Sequence, residues 1–572
     1  MFFGNRFAQI PAFVDPSQTR TYDEEVQPVL SAQQMREIDR LTVEKHHVTS
    51  FELMESAAAA CLNSLTAHFG NLAGKKLQIV CGPGNNGGDG AALARQLLSQ
   101  QVQTDVILIG NFNDTRGDAR TNFEQLSSLA ANQLTFTQCG DSEAWEQVAT
   151  TSNNYDVIVD ALFGTGLTRP LSGVFAKVVE RILDARNIRR TSNPLIFSVD
   201  IPSGLDADKA ESIGPAVNAD LTVTFTAPKP ANVLAPAAHF NGKLVVADIG
   251  SPRSLIDAQN SSDFLIESSD AREWLIRTRY APESYKKTHG EVLVVAGSNG
   301  YAGAAVLCAN AAMRAGTGLV TMATPVSLQN AVASSVVPEV MTQPLAETDR
   351  GAISDEAIAH LKVLSRKATV LAIGPGLSAS DERTRRFTYA AVAERTRATV
   401  VDADGLNCLA PWPAELRGSH DLPIILTPHI GEMRRLLGVP GDTTLDHVST
   451  ARSFATQHNL ILVLKGSRTV VAAPDGRIFI NPTGNAGMGT AGMGDTVTGI
   501  IAAFLAEDAA TLQNEADALK ATIAALYVVG LAADIAARNL GMRTMMASDV
   551  RDYLSVAIQW LDPLGEQPRL IQ

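Results

Sequence analysis

Residues 76–98, KLQIVCGPGNNGGDGAALARQLL, decide the fold. A β-rich run, KLQIVC, meets a nine-residue turn from Gly82 to Gly90 that holds five glycines, and a helical stretch follows at once. Strand, glycine-rich turn and helix form the repeating unit of a parallel sheet wrapped by helices. The same rhythm extends outward on both sides. A helix pattern starts near Ser31 with SAQQMREIDRL, and TDVILIG, YDVIVDALF, PLIFSVDIP, LTVTFTAP and KLVVADIG supply further strands up to about residue 250.

The rhythm lapses over 251–272, a polar stretch that suits a linker, and then restarts. EVLVVAG, GLVTMAT, ATVLAIGPG, ATVVDAD, LPIILTP, LILVLKG and TVVAAP are strands of a second sheet, and GDTVTGIIAAFLA opens a long helical region. With 572 residues the chain is too long for one core. The fold class is therefore α/β, with two α/β/α domains at 31–250 and 273–560, an N-terminal extension at 1–30 and a C-terminal tail at 561–572.

A hydrophobic share of 45% supplies ample core material, and the net charge of −13 disfavours nucleic acid and anionic membranes as partners. Phosphorylated small molecules stay open, because backbone N–H groups in a glycine loop bind phosphate without net basic charge. Five scattered cysteines without a C-x-x-C pair read as reduced thiols of a cytoplasmic protein. Residues 1–16 lack a secretory apolar segment, and the apolar run Ile523–Ala533 is about half of what a membrane span requires. A homo-oligomer is expected.

Three strand ends of the first domain carry chemistry. Asn85 and Asn86 add directed donors and acceptors to the glycine turn, beyond what a tight turn needs. Asp160 ends DVIVD and precedes Gly164-Thr165-Gly166; Asp200 ends IFSVD and precedes Pro202-Ser203-Gly204. A carboxylate at the end of a buried strand is costly unless it is paired, hydrogen-bonded or bound to a cation, although a single one is often just a helix cap.

GPGNNGGDG, VDALFGTGL, VDIPSGLD and TFTAPKP (with Lys229) together resemble the YjeF N-terminal family of NAD(P)H-hydrate epimerases. The resemblance covers about residues 30–250 and implies a Rossmann-like domain. It implies that Asn85, Asn86, Gly87, Gly88 and Asp89, then Gly164, Thr165, Gly166, Leu167, Thr168, Arg169 and Pro170, contact the hydrated cofactor together with Asp200. It also implies a potassium ion on Asn86, Asp160 and Ser203, whose oxygens suit a hard monovalent cation. Asp200 is the expected acid/base that moves the hydroxyl proton.

In the second half, NAGMGTAGMGDT (485–496) leads into a helix, so successive N–H groups at its N-terminus make an anion hole with Asp495 at the rim. A GMGD of this kind also serves as a turn with an N-capping aspartate. Lys465-Gly466-Ser467-Arg468-Thr469 follows LILVL and offers a cation, a flexible backbone and hydroxyls to a nucleotide. His429, after PIIL, and Asp402 and Asp404, in VVDADGLN, have both polar-site and plain capping readings.

These stretches, with GEVLVVAGSNGYAGAA, IGPGL and LTPHIGEM, resemble the YjeF C-terminal family, ribokinase-like NAD(P)H-hydrate dehydratases driven by ADP or ATP. The resemblance implies the nucleotide on Lys465, Gly466, Ser467, Arg468, Thr469 and Gly494, the hydrate on Ala304, Gly376, His429 and Asp495, Asp495 as catalytic base, and a Mg²⁺ ion. ADP is the expected nucleotide, since fusion of both domains resembles the bacterial arrangement. The pattern departs at Ala486 and Ile430, where proline is commoner, at Ala491, where glycine is, and at YKKTHGEV, where a His-Lys pair is usual. The whole is expected to epimerise R and S hydrates of NADH and NADPH and to dehydrate the S form. The alternatives are a ribokinase-class small-molecule kinase with an accessory domain, and a binding scaffold.

Overall fold

A computed structural model of the chain describes residues 27–129, 133–151, 155–187 and 193–563. Its first domain is a seven-stranded sheet, parallel throughout, in the order Leu134–Cys139, Gln103–Ile109, Lys76–Cys81, Val157–Ala161, Leu195–Val199, Leu221–Phe225, Lys243–Ala247. Consecutive residues of the strand Lys76–Cys81 serve opposite layers, as the two-residue period of a strand requires. Leu77, Ile79 and Cys81 face helices Ser50–Phe69, Asn85–Ser99 and Gly117–Ser128, while Val80 faces helices Ser142–Thr151 and Val174–Asn187. Both faces are thereby covered, as parallel sheets demand.

The second domain repeats the arrangement at larger scale. An eleven-stranded sheet has a parallel centre (Ile461–Leu464, Ile424–Leu426, Ala398–Val401, Val370–Ile373, Glu291–Val295, Leu319–Pro325, Met341–Leu345) and an edge of mixed direction built on Thr469–Ala472 and Ile478–Asn481. Val292 and Val294 join one apolar layer with helices Ala302–Arg314, Met493–Leu512 and Ala518–Leu540. Leu293 and Val295 join the other, with helices Glu382–Ala393, Ile430–Leu437 and His447–His458.

The expected linker is structured. Within 251–272 lie helix Arg253–Asp257 and strand Asp263–Leu265, which adds to the second sheet beside Ile478–Asn481, and helix Ser268–Arg277 begins there. Its polar residues are edge residues: the Ser261 hydroxyl bonds the carbonyl of Val29 at 2.8 Å. The expected N-terminal extension lies outside the described residues as far as 26; its last residues, Gln27–Pro28, pair antiparallel with Leu265 and Phe264. Val29, Val233, Leu234 and Leu244 join the second domain's core, so an apolar seam connects the two halves. The expected tail is outside the described residues from 564 onward, but Leu561 is buried and Asp562 accepts a hydrogen bond from Arg279 Nε at 2.6 Å. The apolar run near 523 belongs to a 23-residue helix, Ala518–Leu540, long and apolar enough to cross a membrane; 72% of its apolar window is buried against the second domain. The five cysteines are free and buried.

Helix Met493–Leu512, which carries Asp495, is fixed by its crossing with helix Ala302–Arg314. At the crossing a Cβ on Gly499 would lie 2.2 Å from the Cys308 carbonyl oxygen. Gly499→Ala is therefore expected to lower the second domain's stability by about 1–3 kcal/mol, outweighing alanine's better helix propensity. Urea unfolding followed by circular dichroism reads this as a lower midpoint.

Candidate functional site

The carboxyl ends of the first domain's parallel strands open onto a cavity of about 610 Å³, within the ~300–1,000 Å³ of small-molecule sites. Asn85, Asn86 and Asp89 line it from the start of helix Asn85–Ser99, Gly164, Thr165, Gly166, Asp200 and Lys229 from the turns after strands, and Met35, Asp39 and Leu53 from the first two helices. Asp200 is held by the buried Lys229, whose Nζ lies 2.7 Å from its Oδ1, and by the Thr224 hydroxyl at 3.0 Å. Its backbone sits at φ 65°, a left-handed conformation rare for a residue with a Cβ. A Cβ on Gly164 would lie 2.9 Å from Asp200 Oδ2 and 3.2 Å from Asn86 Oδ1, so only glycine lets these three turns converge. Burial, with Asp200 and Asp39 nearby, pushes the Asp89 carboxyl well above the usual carboxylate range despite Lys229.

Asp160 lies behind this wall, fully buried. It accepts hydrogen bonds from the Ser203 hydroxyl (2.6 Å), Ser203 N (2.8 Å), the Ser198 hydroxyl (2.9 Å) and Leu162 N (3.3 Å). The bonds join the two turns after their strands, and the Phe163 N–H donates to Ser203 Oγ at 2.9 Å. Among the described residues no lysine, arginine or histidine forms an ion pair with Asp160, and burial pushes its pKa up. Hydroxyl and backbone N–H donors thus hold this buried carboxyl in place of a cationic side chain.

The second domain repeats the lysine–aspartate motif. Lys465 Nζ lies 2.7 Å from Oδ1 of the buried Asp402, whose Oδ2 accepts from the Thr498 hydroxyl at 2.7 Å. Burial pushes Asp402 up, but Lys465 outweighs it and holds the carboxyl below its usual range. The Lys465 ammonium is held above its ordinary value by Asp402, Glu432 and Asp495, against burial. A Cβ on Gly494 would lie 3.3 Å from Lys465 Nζ and 3.5 Å from Asp402 Oδ2, so the helix N-terminus abuts the ion pair. Asp495, in the first turn of that helix, is pushed up to about 6 by burial and by Asp402 and Asp404, against Lys465.

The sequence-predicted residues divide. Gly87 and Gly88 serve packing: a Cβ would strike the Gly82 carbonyl oxygen at 1.8 Å and Ala119 Cα at 2.8 Å, respectively. Leu167, Thr168, Arg169 and Pro170 do not line the cavity; Leu167 is buried and the next three are exposed. Gly376 and Ala304 meet, with 3.1 Å between a Cβ on the glycine and that of the alanine. His429 is the N-cap of helix Ile430–Leu437, its Nδ1 accepting from Gly431 N at 3.0 Å, so only Nε2 is left for a ligand. Burial and the Lys465 and Arg435 charges lower its pKa. Arg468 turns inward to the Pro482 carbonyl at 2.6 Å, while Ser467 Oγ lies 3.0 Å from His239 Nε2 of the first domain. Asp404 caps Ser378 N at 2.9 Å, as its bland reading had it, whereas Asp402 is the ion-paired residue. Asp39 escaped sequence reasoning because it looks like any polar position on an amphipathic helix.

Fold and site together define an enzyme of two α/β/α domains, each presenting an acid beside a lysine paired with a buried aspartate at its strand ends. The family described as YjeF-related protein N-terminus matches residues 50–231, and that described as NAD(P)H-hydrate dehydratase matches 292–555. The chain is similar to the bifunctional NAD(P)H-hydrate repair enzyme Nnr of Moorella thermoacetica, 40% identical over 93% of this chain and 97% of that one. Its counterpart from Thermofilum pendens is 35% identical over 93% and 96%. A solved ADP/ATP-dependent NAD(P)H-hydrate dehydratase from Bacillus subtilis is 28% identical over 50% of this chain and 96% of that chain, with TM-score 0.43. The chain belongs to the bifunctional NAD(P)H-hydrate repair enzymes, with an epimerase domain followed by a nucleotide-dependent dehydratase domain. The accessory-domain kinase and scaffold readings fall with that finding.

Removing the cation from the Lys229–Asp200 pair strands a buried carboxylate. Lys229→Met is expected to destabilise the first domain by about 3–5 kcal/mol. Calorimetry should show the first domain's unfolding transition at lower temperature, with the second domain's shifted less.

Proposed function

We propose that Asp200 is an acid/base of the epimerase and Asp495 the base of the dehydratase. In the hydrate a hydroxyl sits on the ring carbon next to nitrogen. Lone-pair donation from that nitrogen expels the hydroxyl and leaves an iminium ion, to which water adds on the other face. Asp200 exchanges the proton, and the Lys229 and Thr224 contacts keep its Oδ1 in place. Asn85, Asn86, Gly164, Thr165 and Gly166 hold the cofactor, and Leu167 to Pro170 belong to the same turn. Potassium on Asn86, Asp160 and Ser203 would supply the positive charge that Asp160 lacks.

In the dehydratase Asp495 takes the hydroxyl proton as the terminal phosphoryl moves from ADP or ATP to the oxygen. Phosphate then leaves with the C–O electron pair, and loss of the neighbouring ring proton restores the reduced nicotinamide. The helix N-terminus at Gly494 and the Lys465 ammonium face the charge that develops on the phosphoryl group. Lys465 to Thr469 bind the nucleotide, while Ala304, Gly376 and His429 bind the hydrate. Among the described residues no cluster of three acidic, histidine or cysteine side chains offers a metal cage. That suits Mg²⁺, which takes one or two carboxylates and otherwise phosphate oxygens and water.

The observation that carries this reading is Asp495, pushed up to about 6 beside Lys465 and Asp402, a base poised for neutral pH. Purified protein is incubated with mixed R and S hydrates and ADP or ATP, and recovery of reduced-cofactor absorbance is followed. Wild type recovers both epimers. Asp495→Ala is expected to lose recovery by a factor of about 10² or more while R and S still interconvert. Asp200→Asn recovers only the S form at the catalysed rate. Because Asp495 acts deprotonated, kcat/KM of dehydration falls about tenfold per pH unit below about 6 and is level above it.

A further inference from the structure

We propose that Asp39 is the second proton-transfer group of the epimerase cavity, serving the ring face opposite Asp200. This rests on the reading of that cavity as the epimerase site. Asp39 lies on helix Ala32–His46 and lines the cavity with Asp200, Lys229 and Asp89. Its Oδ1 is buried and has no hydrogen-bond partner, an unusual state for a carboxylate oxygen, and one that a ligand donor would relieve.

The other carboxyl groups lining the cavity are occupied or placed elsewhere. Asp200 is paired with Lys229, Glu44 with Arg40, and Asp118 is half-buried with no buried oxygen left unpartnered. Asp89 lies near the start of helix Asn85–Ser99, beside Asn85 and Asn86. Among these carboxyl groups Asp39 alone has a buried oxygen without a hydrogen-bond partner. Its helix is fixed to the segment that carries Lys229: Leu30 N donates to the Pro228 carbonyl at 2.9 Å, and Ala32 N to Asp208 Oδ1 at 2.7 Å. Burial, opposed by Lys229 and aided by Asp200, pushes Asp39 up to about 6, which suits proton donation near neutrality.

Epimerisation needs chemistry on both ring faces, which one carboxyl cannot reach from one side. Protonated Asp39 gives its proton to the departing hydroxyl as the C–O bond breaks, leaving water and the iminium ion. Water adds to the opposite face and gives a proton to the Asp200 carboxylate. The reverse reaction uses the same two groups with exchanged roles, and solvent exchange resets them.

The test measures R-to-S interconversion by the full-length protein, corrected for the spontaneous rate, for Asp39→Asn, Asp39→Glu and Asp200→Asn. Asp39→Asn is expected to lower kcat by a factor of about 10² or more with little change in KM, and Asp39→Glu to recover part of it. If Asp39→Asn turns over within about twofold of wild type while Asp200→Asn is inactive, the proposal is overturned. Equal losses in the Asn and Glu variants, with a weakened first-domain unfolding transition, mark a packing role and overturn it too. An active Asp200→Asn overturns instead the reading of the cavity on which the proposal rests.

Discussion

A lysine paired with a buried aspartate at the carboxyl ends of parallel strands organises each half of this molecule. Parallel pairing brings every strand's carboxyl end to one edge, so turns distant in sequence meet there. A carboxylate at that edge loses its water, at an effective cost of several kcal/mol per ion. Lys229 offsets this for Asp200 and Lys465 for Asp402, each at 2.7 Å. With the cation committed to the paired carboxylate, the next one along lies in a desolvated, partly negative setting. Asp39 in one domain and Asp495 in the other are both pushed up to about 6 in this way. Pairs of acids whose environments differ are how a site divides proton chemistry near neutral pH.

The arrangement constrains the backbone around it. Asp200 stands at φ 65°, and Ala403, next to Asp402, at φ 49°. Such positions cost of order 1–3 kcal/mol each and persist where surrounding contacts over-determine them. In the first domain those contacts are the Lys229, Thr224 and Asn232 hydrogen bonds to Asp200 and the Asp160–Ser203 latch beside it. In the second, a Cβ on Gly374 would lie 1.8 Å from the Asp402 carbonyl oxygen, so the neighbouring turn can close only around glycine.

Much of this was legible in the sequence, because both the sheet and the site depend on local pattern. The glycine turns of GPGNNGGDG and VDIPSGLD follow strand ends, and GMGD opens helix Met493–Leu512. What stayed hidden depends on three-dimensional company. The strand Asp263–Leu265 has only three residues, too few for a two-residue period to register, and it exists because Ile478–Ile480 lie beside it. Gly87 reads as a ligand-binding glycine, yet it is required by its approach to the Gly82 carbonyl. Arg468 reads as a free cation in a nucleotide loop, yet it is spent on Pro482. Asp39 is the converse case: nothing local distinguishes it from Glu37 or Glu44, and its role follows only from the cavity it faces.

The two halves also meet through the segment that supports the epimerase pair. Lys229 begins it, and Asn232 within it accepts from Lys229 N at 2.9 Å and donates to Asn241 Oδ1, also at 2.9 Å. Asn241 donates in turn to the carbonyls of Ala231, Ala237 and Ala238. The short turn Ala237–Phe240 therefore inherits its position from the network around Asp200, and its His239 touches Ser467 in the loop after strand Ile461–Leu464. Val233 of the same segment is buried in the second domain's core, and the half-buried Leu234 packs against it. One stretch of about a dozen residues is thus shared, its polar side set by the first site and its apolar side by the second domain. Such a stretch cannot be repacked for one domain alone, and this ties the geometry of the epimerase site to that of the dehydratase beside it.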